Sequence, residues 1–240
     1  MTYKYIIFDV GGTLLRWGDA PLFARFLSDY AKSVSDAQIA ADGAALRRLM
    51  IEAFAQNRQA AVGMGATGES VVSFWRRTLR ETLALWQRPG YSDEMLKPLT
   101  HAVVHGAFDA LFEDALPTLQ RLRAAGYRLG IISNWNENLP HELARWGLDR
   151  ICDFAVISSL VGVAKPSPEI FRLGLERAGC QPHEALYVGD NVLDDCHGAR
   201  GAGLDVALIN HGEVEVTPSP CTMSYPNLTA LANALLEEQG

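Results

Sequence analysis

The most regular pattern along the chain is a set of short apolar runs without polar alternation. The first run covers Tyr5–Phe8 and predicts a strand buried on both faces, as in a parallel sheet. Segments with helical spacing separate the later runs, which fits right-handed crossovers between parallel strands. The later predicted strands lie near 127–132, 154–158, 185–189 and 205–209, and the predicted helices near 115–125, 137–147, 167–179, 192–202 and 227–238. The sequence therefore predicts an α/β fold with a doubly wound, Rossmann-like parallel sheet.

A different pattern fills the segment 16–112, where apolar residues recur at three- and four-residue steps. Leu22, Phe26 and Leu27 form one such stripe, and Trp75 and Leu79 belong to another. These stripes predict amphipathic helices, interrupted by a glycine-rich loop at 63–68. We therefore expect an all-helical domain at 16–112, inserted into a core made of 1–15 and 113–240. A second loop is predicted at 217–220.

Polar residues of a particular kind stand where several of these strands end. Asp9 ends the first run and is followed by a turn in which two glycines are expected to adopt positive φ. In open α/β sheets the ligand crevice lies at the carboxyl edge of the strands. The residues predicted to meet at that edge are Asp9, Gly11, Gly12, Thr13, Ser133, Asn134, Lys165, Asp190, Asp194 and Asp195.

The order Asp…Thr, Ser-Asn, Lys and Gly-Asp…Asp-Asp resembles the four motifs of the haloacid dehalogenase-like hydrolase superfamily. The resemblance covers the whole chain, with 1–15 and 113–240 as the core, and the inserted helical domain resembles the C1 cap of that superfamily. It implies a Mg²⁺-dependent phosphatase that acts on a small phosphorylated metabolite through an aspartyl-phosphate. Asp9 would be the nucleophile, and Lys165 would neutralise the crowded negative charge.

The resemblance also assigns the remaining residues of the predicted site. Gly12, Thr13, Ser133 and Asn134 would bind the phosphoryl oxygens together with Lys165. Asp9, Asp190, Asp195 and the carbonyl of Gly11 would hold Mg²⁺, a hard cation that prefers oxygen ligands. Either Asp194 or Asp195 would hold the metal waters or orient Lys165, and the sequence leaves that choice open.

One position departs from the pattern of the family's phosphatases. Their second motif acid, which protonates the leaving oxygen, is replaced here by Gly11. Good leaving groups need no such proton, so an acyl or aryl phosphate would tolerate the change. Alternatively, the helical domain supplies the proton carrier, with His101, His105 and Asp109 as candidates.

Gly11 also keeps three other functions open. Haloacid dehalogenases lack the second acid, but those that resemble this core avoid the metal-binding acid, whereas this chain has Asp190. Phosphonatases need a lysine in the helical domain, which offers Lys32 and Lys97. A protein that keeps the fold but has lost turnover is the third alternative, and the presence of Asp9, Lys165 and Asp190 argues against it.

Composition limits the classes of partner that the sequence predicts. The 240 residues carry a formal net charge of −7 without a pooled basic patch, so a nucleic-acid partner is not expected. The four cysteines form no Cys-x-x-Cys pair, so reduced thiols are expected rather than a zinc or redox motif. No apolar stretch reaches the ~20 residues of a membrane helix. We therefore expect a cytoplasmic monomer or homodimer with no membrane partner.

Overall fold

The computed structural model describes residues 3–16, 20–28, 35–56, 71–86, 93–211, 221 and 223–237. Its contacts divide the chain into two compact units, one made of Met1–Arg16 and Leu111–Gly240 and the other of Trp17–Ala110. We call these the α/β unit and the helical unit. The predicted loops at 63–68 and 217–220 lie outside the described residues, as does Lys32.

The α/β unit contains a six-stranded sheet in which all neighbouring strands are parallel. The strands are β1 (Tyr5–Phe8), β4 (Arg128–Ser133), β5 (Phe154–Ile157), β6 (Ala185–Gly189), β7 (Asp205–Ile209) and β8 (Met223–Tyr225), in the order β5-β4-β1-β6-β7-β8. The predicted α/β class and doubly wound parallel sheet are confirmed. The edge strand β8 was not predicted, since three residues are too few to show a pattern.

Both faces of the sheet are buried, as the unbroken apolar run of β1 requires. Ile6 and Phe8 belong to one apolar cluster, whereas Tyr5 and Ile7 belong to another. The helices Ala115–Ala124, Leu139–Arg145 and Leu228–Glu237 contribute to the first cluster, and the helix Pro168–Ala178 contributes to the second. Strand order and helix placement together bring the carboxyl ends of β1, β4 and β6 to one edge.

The remaining elements of the α/β unit are short. Where the chain leaves and re-enters this unit, the strands β2 (Leu15–Arg16) and β3 (Ala110–Leu111) form a separate two-stranded sheet. Four-residue helices cover Ser158–Val161 and Gly198–Gly201, and 3₁₀ turns cover Leu148–Arg150 and Pro182–Glu184. The segment Val192–His197 is a π-helix rather than the predicted α-helix.

Among its described residues, the helical unit contains the helices Ala20–Ser28, Asp36–Gln56, Val71–Trp86 and Leu96–Val104, with a 3₁₀ turn at Asp93–Met95. Its apolar cluster includes Leu27, Met50 and Leu79, each from a different helix and each fully buried. The periodic stripes seen in the sequence thus supply this core. The role of the unit as a cap stays a prediction.

The cysteines differ from expectation. Cys196 and Cys221 form a disulfide, with their Cα atoms 5.5 Å apart, so the expectation of reduced thiols is wrong for this pair. Cys152 and Cys180 are free thiols. The spacing of 25 residues between the bonded pair gives no recognisable motif, and only the fold brings them together. Among the described helices, none has both the length and the apolar character that crossing a membrane requires.

Gly130 in β4 offers a test of the packing between strands. A methyl group at this position would lie 2.3 Å from Cζ of Phe154, its partner on β5. Replacing glycine inside a strand ordinarily favours the strand. Here we expect Gly130→Ala to lower the free energy of unfolding by about 1–3 kcal/mol, because the ring must move.

Urea unfolding would measure this effect. The double variant Gly130→Ala/Phe154→Leu should recover part of the loss, because leucine is shorter than the phenylalanine ring. A Gly130→Ala protein as stable as the wild type would contradict the packing described for this strand pair.

Candidate active site

The predicted site residues that end or follow β1, β4 and β6 meet at the carboxyl edge of the sheet. Asp9 follows β1, and its N–H donates to the carbonyl of Val188 on β6 at 2.8 Å. Ser133 ends β4, and Gly189 ends β6 immediately before Asp190. The parallel register therefore places Asp9 between the ends of the two neighbouring strands.

Lys165 enters this group from the loop before the helix Pro168–Ala178. Its Nζ lies 2.8 Å from Asp9 Oδ1 and 2.6 Å from Asp195 Oδ1, and its side chain is only 3% exposed. The side chain of Asn134 fixes the main chain of this loop. Asn134 Oδ1 accepts from Lys165 N–H at 2.8 Å, and Asn134 Nδ2 donates to Lys165 O at 3.0 Å. Asn134 thus positions Lys165, a function that the sequence did not indicate.

Asp195 rather than Asp194 contacts the lysine. Its Oδ1 accepts from Lys165 and from the Tyr187 hydroxyl at 3.0 Å, while its Oδ2 accepts from the N–H groups of Asp190 at 3.1 Å and Asn191 at 2.9 Å. A carboxylate has about four lone-pair directions, so these contacts nearly saturate Asp195. The choice between the two acids, open in the sequence, is settled for the contact with Lys165.

The turn after Asp9 is tight, and its two glycines differ. Gly12 has φ +84°, and a Cβ there would lie 2.3 Å from Asp190 Oδ2. Gly11 does not adopt positive φ, so the expectation for this residue is wrong. A Cβ at Gly11 would lie 3.1 Å from Cζ3 of Trp135, so the indole is its nearest neighbour.

The hydroxyl residues at this edge are enclosed. Thr13 is fully buried, and its Oγ1 lies 3.4 Å from Asp190 Oδ1, which makes a long and weak hydrogen bond. The carbonyl of Val10 accepts from the N–H of Leu14 at 2.9 Å and of Leu15 at 2.8 Å, which closes the turn. Ser133 is also buried, at the end of β4.

Burial and mutual charge govern the ionisation of these groups. Burial and the facing Asp195 raise the pKa of Asp9 to about 6, although Lys165 opposes the shift. Burial would lower the pKa of Lys165, but the carboxylates of Asp195 and Asp9 outweigh it and raise this pKa. Burial and the same two carboxylates raise the pKa of Tyr187, so its hydroxyl keeps its proton at neutral pH.

Asp190 is exposed to solvent but lies close to other charged groups of the site. Its side chain reaches solvent at the edge of the sheet. The surrounding protein atoms and the carboxylates of Asp195 and Asp9 nevertheless raise its pKa. Although the charge of Lys165 opposes this shift, the negative charges of Asp195 and Asp9 disfavour ionisation of Asp190.

The donor set fits a divalent cation. One oxygen each from Asp9, Asp190 and Asp195 lies within 4.8 Å of the others. Three carboxylates and one ammonium leave two negative charges uncompensated, and hard divalent cations prefer such oxygen ligands. Within the described ranges this is the only group of three or more acidic, histidine or cysteine residues close enough to share an ion.

The alternative proton carriers belong to the other unit. His101 and His105 lie next to each other on the helix Leu96–Val104 and its end, with ring centroids 4.2 Å apart. Asp109 is buried near the end of the helical unit. A catalytic function for these three residues stays a prediction.

Comparisons with known proteins identify the family of this chain. A family model described as haloacid dehalogenase-like hydrolase matches residues 3–203. Over 105 residues the chain is 37% identical to a glyceraldehyde 3-phosphate phosphatase of Methanopyrus kandleri, a match that covers 43% of this chain and 45% of that enzyme. The chain thus matches less than half the length of that relative.

A longer match has lower identity. Haloacid dehalogenase-like hydrolase domain-containing protein 3 of Danio rerio is 27% identical over 218 residues, covering 89% of this chain and 88% of that protein. A solved L-2-haloacid dehalogenase of Xanthobacter autotrophicus has a TM-score of 0.70 at 19% identity, with both chains fully covered. A solved phosphatase of Thermococcus onnurineus has a TM-score of 0.61 at 24% identity, with 98% of each chain covered. These structures establish the likeness of fold.

The raised pKa of Asp9 predicts a stability change in the absence of metal. Because the folded protein binds this proton more tightly than the unfolded chain, Asp9 lowers stability as pH rises from 3.8 to about 6. We expect Asp9→Asn to raise the free energy of unfolding at pH 7.5 by about 1–3 kcal/mol, since Asp195 still neutralises Lys165.

Urea unfolding in the presence of a chelator would measure this gain, which should shrink as pH falls toward 3.8. Asp205→Asn is the matched control, because Asp205 stands at the start of β7 and accepts from the Tyr3 hydroxyl. An Asp9→Asn protein less stable than the wild type at pH 7.5 would contradict the raised pKa of Asp9.

Proposed function

This chain belongs to the haloacid dehalogenase-like hydrolases, and we propose that it is a Mg²⁺-dependent phosphatase that acts through an aspartyl-phosphate at Asp9. The observation that supports this most is the buried Lys165 between Asp9 and Asp195, with Asp190 beside them. A lysine and several acids at one edge suit phosphoryl transfer, because both the nucleophile and the substrate are anionic.

In the proposed reaction a carboxylate oxygen of Asp9 attacks phosphorus, and the bond from phosphorus to the leaving oxygen breaks. Water then attacks the aspartyl-phosphate, releasing inorganic phosphate and restoring the carboxylate. Lys165 neutralises negative charge on the transferred group throughout. The main chain at Gly12, with Ser133, Asn134 and Thr13, would donate to the phosphoryl oxygens, although the burial of Thr13 makes it the most enclosed of these donors.

Asp9, Asp190 and the Gly11 carbonyl would hold Mg²⁺, which would neutralise charge on the phosphate. Asp195 belongs to the same acidic group, but its oxygens already accept from Lys165, Tyr187 and two main-chain N–H groups. Its main task in this proposal is therefore to orient Lys165. Asp194 does not contact the lysine and is the less suitable of the two acids for that task.

The substrate would be a small phosphorylated molecule with a good leaving group. Four glyceraldehyde 3-phosphate phosphatases among the relatives support a phosphorylated metabolite as the substrate class. With Gly11 in place of an acid, no side chain at this position protonates the departing oxygen. The nearest side chain to Gly11 is the indole of Trp135, which carries no acid.

Haloacid dehalogenase activity is the second candidate, favoured by Gly11 and by the fold that the chain shares with solved dehalogenases. Asp190 argues against it, because a carboxylate there adds negative charge where a carboxylate substrate would bind. A phosphonatase would need a lysine of the helical unit, Lys32 or Lys97, to form an imine with the substrate.

The metal and the nucleophile give the first test of this function. We expect the protein to release p-nitrophenol from p-nitrophenyl phosphate only with Mg²⁺ present. Asp9→Asn should lower kcat by at least about 10³-fold, since it removes the attacking oxygen. Asp205→Asn should retain wild-type kcat, and circular dichroism should show all three proteins folded. Wild-type activity in a highly purified Asp9→Asn preparation would exclude Asp9 as the nucleophile.

Gly11 gives the second test, through the dependence of rate on the leaving group. Rates should rise steeply as the leaving-group pKa falls, so aryl and acyl phosphates should react faster than alkyl phosphates by about 10²-fold or more. Gly11→Asp should flatten this dependence by restoring a proton donor, provided that Trp135 shifts by a few tenths of an ångström.

Gly11→Asn is the matched control, because it has the same size but transfers no proton. It should leave the steep dependence unchanged. Similar rates on aryl and alkyl phosphates in the wild-type enzyme would mean that another residue supplies the proton, and His101, His105 and Asp109 would be replaced next.

A further inference from the structure

Tyr187 stands in the middle of β6 and was not among the residues expected to act in the site. Its side chain is fully buried in the apolar cluster on one face of the sheet. The ring of Phe171 contacts it edge-on, with centroids 4.9 Å apart and planes at 83°. The ring of Tyr187 is thus fixed by packing, which fixes the direction of its hydroxyl as well.

That hydroxyl reaches the charged centre of the site. It lies 3.2 Å from Lys165 Nζ, 3.0 Å from Asp195 Oδ1 and 3.1 Å from the carbonyl oxygen of Ile132. It accepts from the ammonium and donates its single proton to one of the two oxygens. The Lys165 ammonium therefore donates hydrogen bonds to Asp195 and Tyr187 and forms an ion pair with Asp9.

A lysine is a compact charge on a flexible stem, so one or two contacts leave its ammonium room to move. Three contacts in different directions define its position. Two of them, from Asp195 and Tyr187, do not involve the proposed nucleophile. Neither contact depends on the negative charge that Asp9 would lose by accepting a phosphoryl group.

We propose that Tyr187 is a positioning residue whose hydroxyl holds the Lys165 ammonium in place through both halves of the reaction. The expected effect of Tyr187 on kcat rests on the proposed phosphatase function. The contact between the Tyr187 hydroxyl and Lys165 does not rest on that function, and a separate measurement tests it.

The kinetic test uses Tyr187→Phe, which removes only the hydroxyl oxygen. With p-nitrophenyl phosphate and saturating Mg²⁺, kcat should fall about tenfold, because a misplaced charge stabilises the transition state less. KM should change by less than about twofold, since Asp195 still keeps the ammonium near the substrate. The affinity for Mg²⁺, measured by calorimetry, should stay unchanged.

Tyr127→Phe is the matched control. Tyr127 is also buried in the α/β unit, and its hydroxyl donates to the carbonyl of Leu235 at 3.1 Å. Both variants lose a buried tyrosine hydroxyl, but only one loses a contact with Lys165. A loss of kcat in Tyr127→Phe equal to that in Tyr187→Phe would overturn the proposal, because any lost buried hydroxyl would then have the same effect.

The second readout does not depend on turnover. In ¹⁵N-labelled protein without substrate, the buried Lys165 ammonium should give its own ¹H–¹⁵N signal, assigned by its loss in Lys165→Met. Tyr187→Phe should shift or broaden this signal, and Tyr127→Phe should leave it in place. An unchanged signal in Tyr187→Phe, together with wild-type kcat, would overturn the proposal.

A variant that fails to fold and a wild-type protein without activity each call for a second criterion. If Tyr187→Phe fails to fold, Tyr187→Met replaces it under the same criteria, since methionine removes the hydroxyl and adapts to irregular space. If the wild-type protein does not hydrolyse p-nitrophenyl phosphate, the proposed function loses its support, and the Lys165 signal alone decides whether Tyr187 holds the lysine.

Discussion

The organisation of the site depends on one buried cation, the ammonium of Lys165. A buried charge is costly unless it is paired and hydrogen-bonded. Here Asp9 and Asp195 supply opposite charge, and Asn134 fixes the main chain from which the lysine extends. Removing Asp195 would leave the lysine without the acid that orients it, and removing the lysine would leave adjacent acids repelling each other. This mutual dependence explains why the charged residues are found together although long stretches of sequence separate them.

Much of this arrangement could be predicted from sequence, and the reasons are physical. Apolar runs that lack alternation report burial on both faces, so the central strands and the edge where they end were identified. Other features depend on three-dimensional contacts that no local pattern reports. Tyr187 looked like one more apolar position of β6, and only its reach to Lys165 reveals its polar partner. A single hydroxyl in an otherwise aliphatic strand, next to a strand-end acid, is the signal that could have indicated it.

The choice between Asp194 and Asp195 likewise depends on a three-dimensional contact that the sequence does not report. Helical periodicity treats adjacent acids alike, but the segment Val192–His197 is a π-helix, and Asp195 is the acid that contacts Lys165. Likewise, positive φ was expected of Gly11 and Gly12, and of these two only Gly12 adopts it. Cys196 and Cys221 form a disulfide through the fold, which spacing alone could not show.

In the proposed function, the absence of an acid at Gly11 makes the rate depend on the leaving group. That function requires the transfer of a phosphoryl group to Asp9. The most direct measurement incubates the protein with Mg²⁺ and acetyl phosphate, quenches it, reduces it with borohydride and locates the modified residue by mass spectrometry. Borohydride converts an aspartyl-phosphate to homoserine. We predict homoserine at position 9 and at no other aspartate position, whereas steady release of phosphate with an unmodified Asp9 would contradict a phosphoryl transfer to this residue.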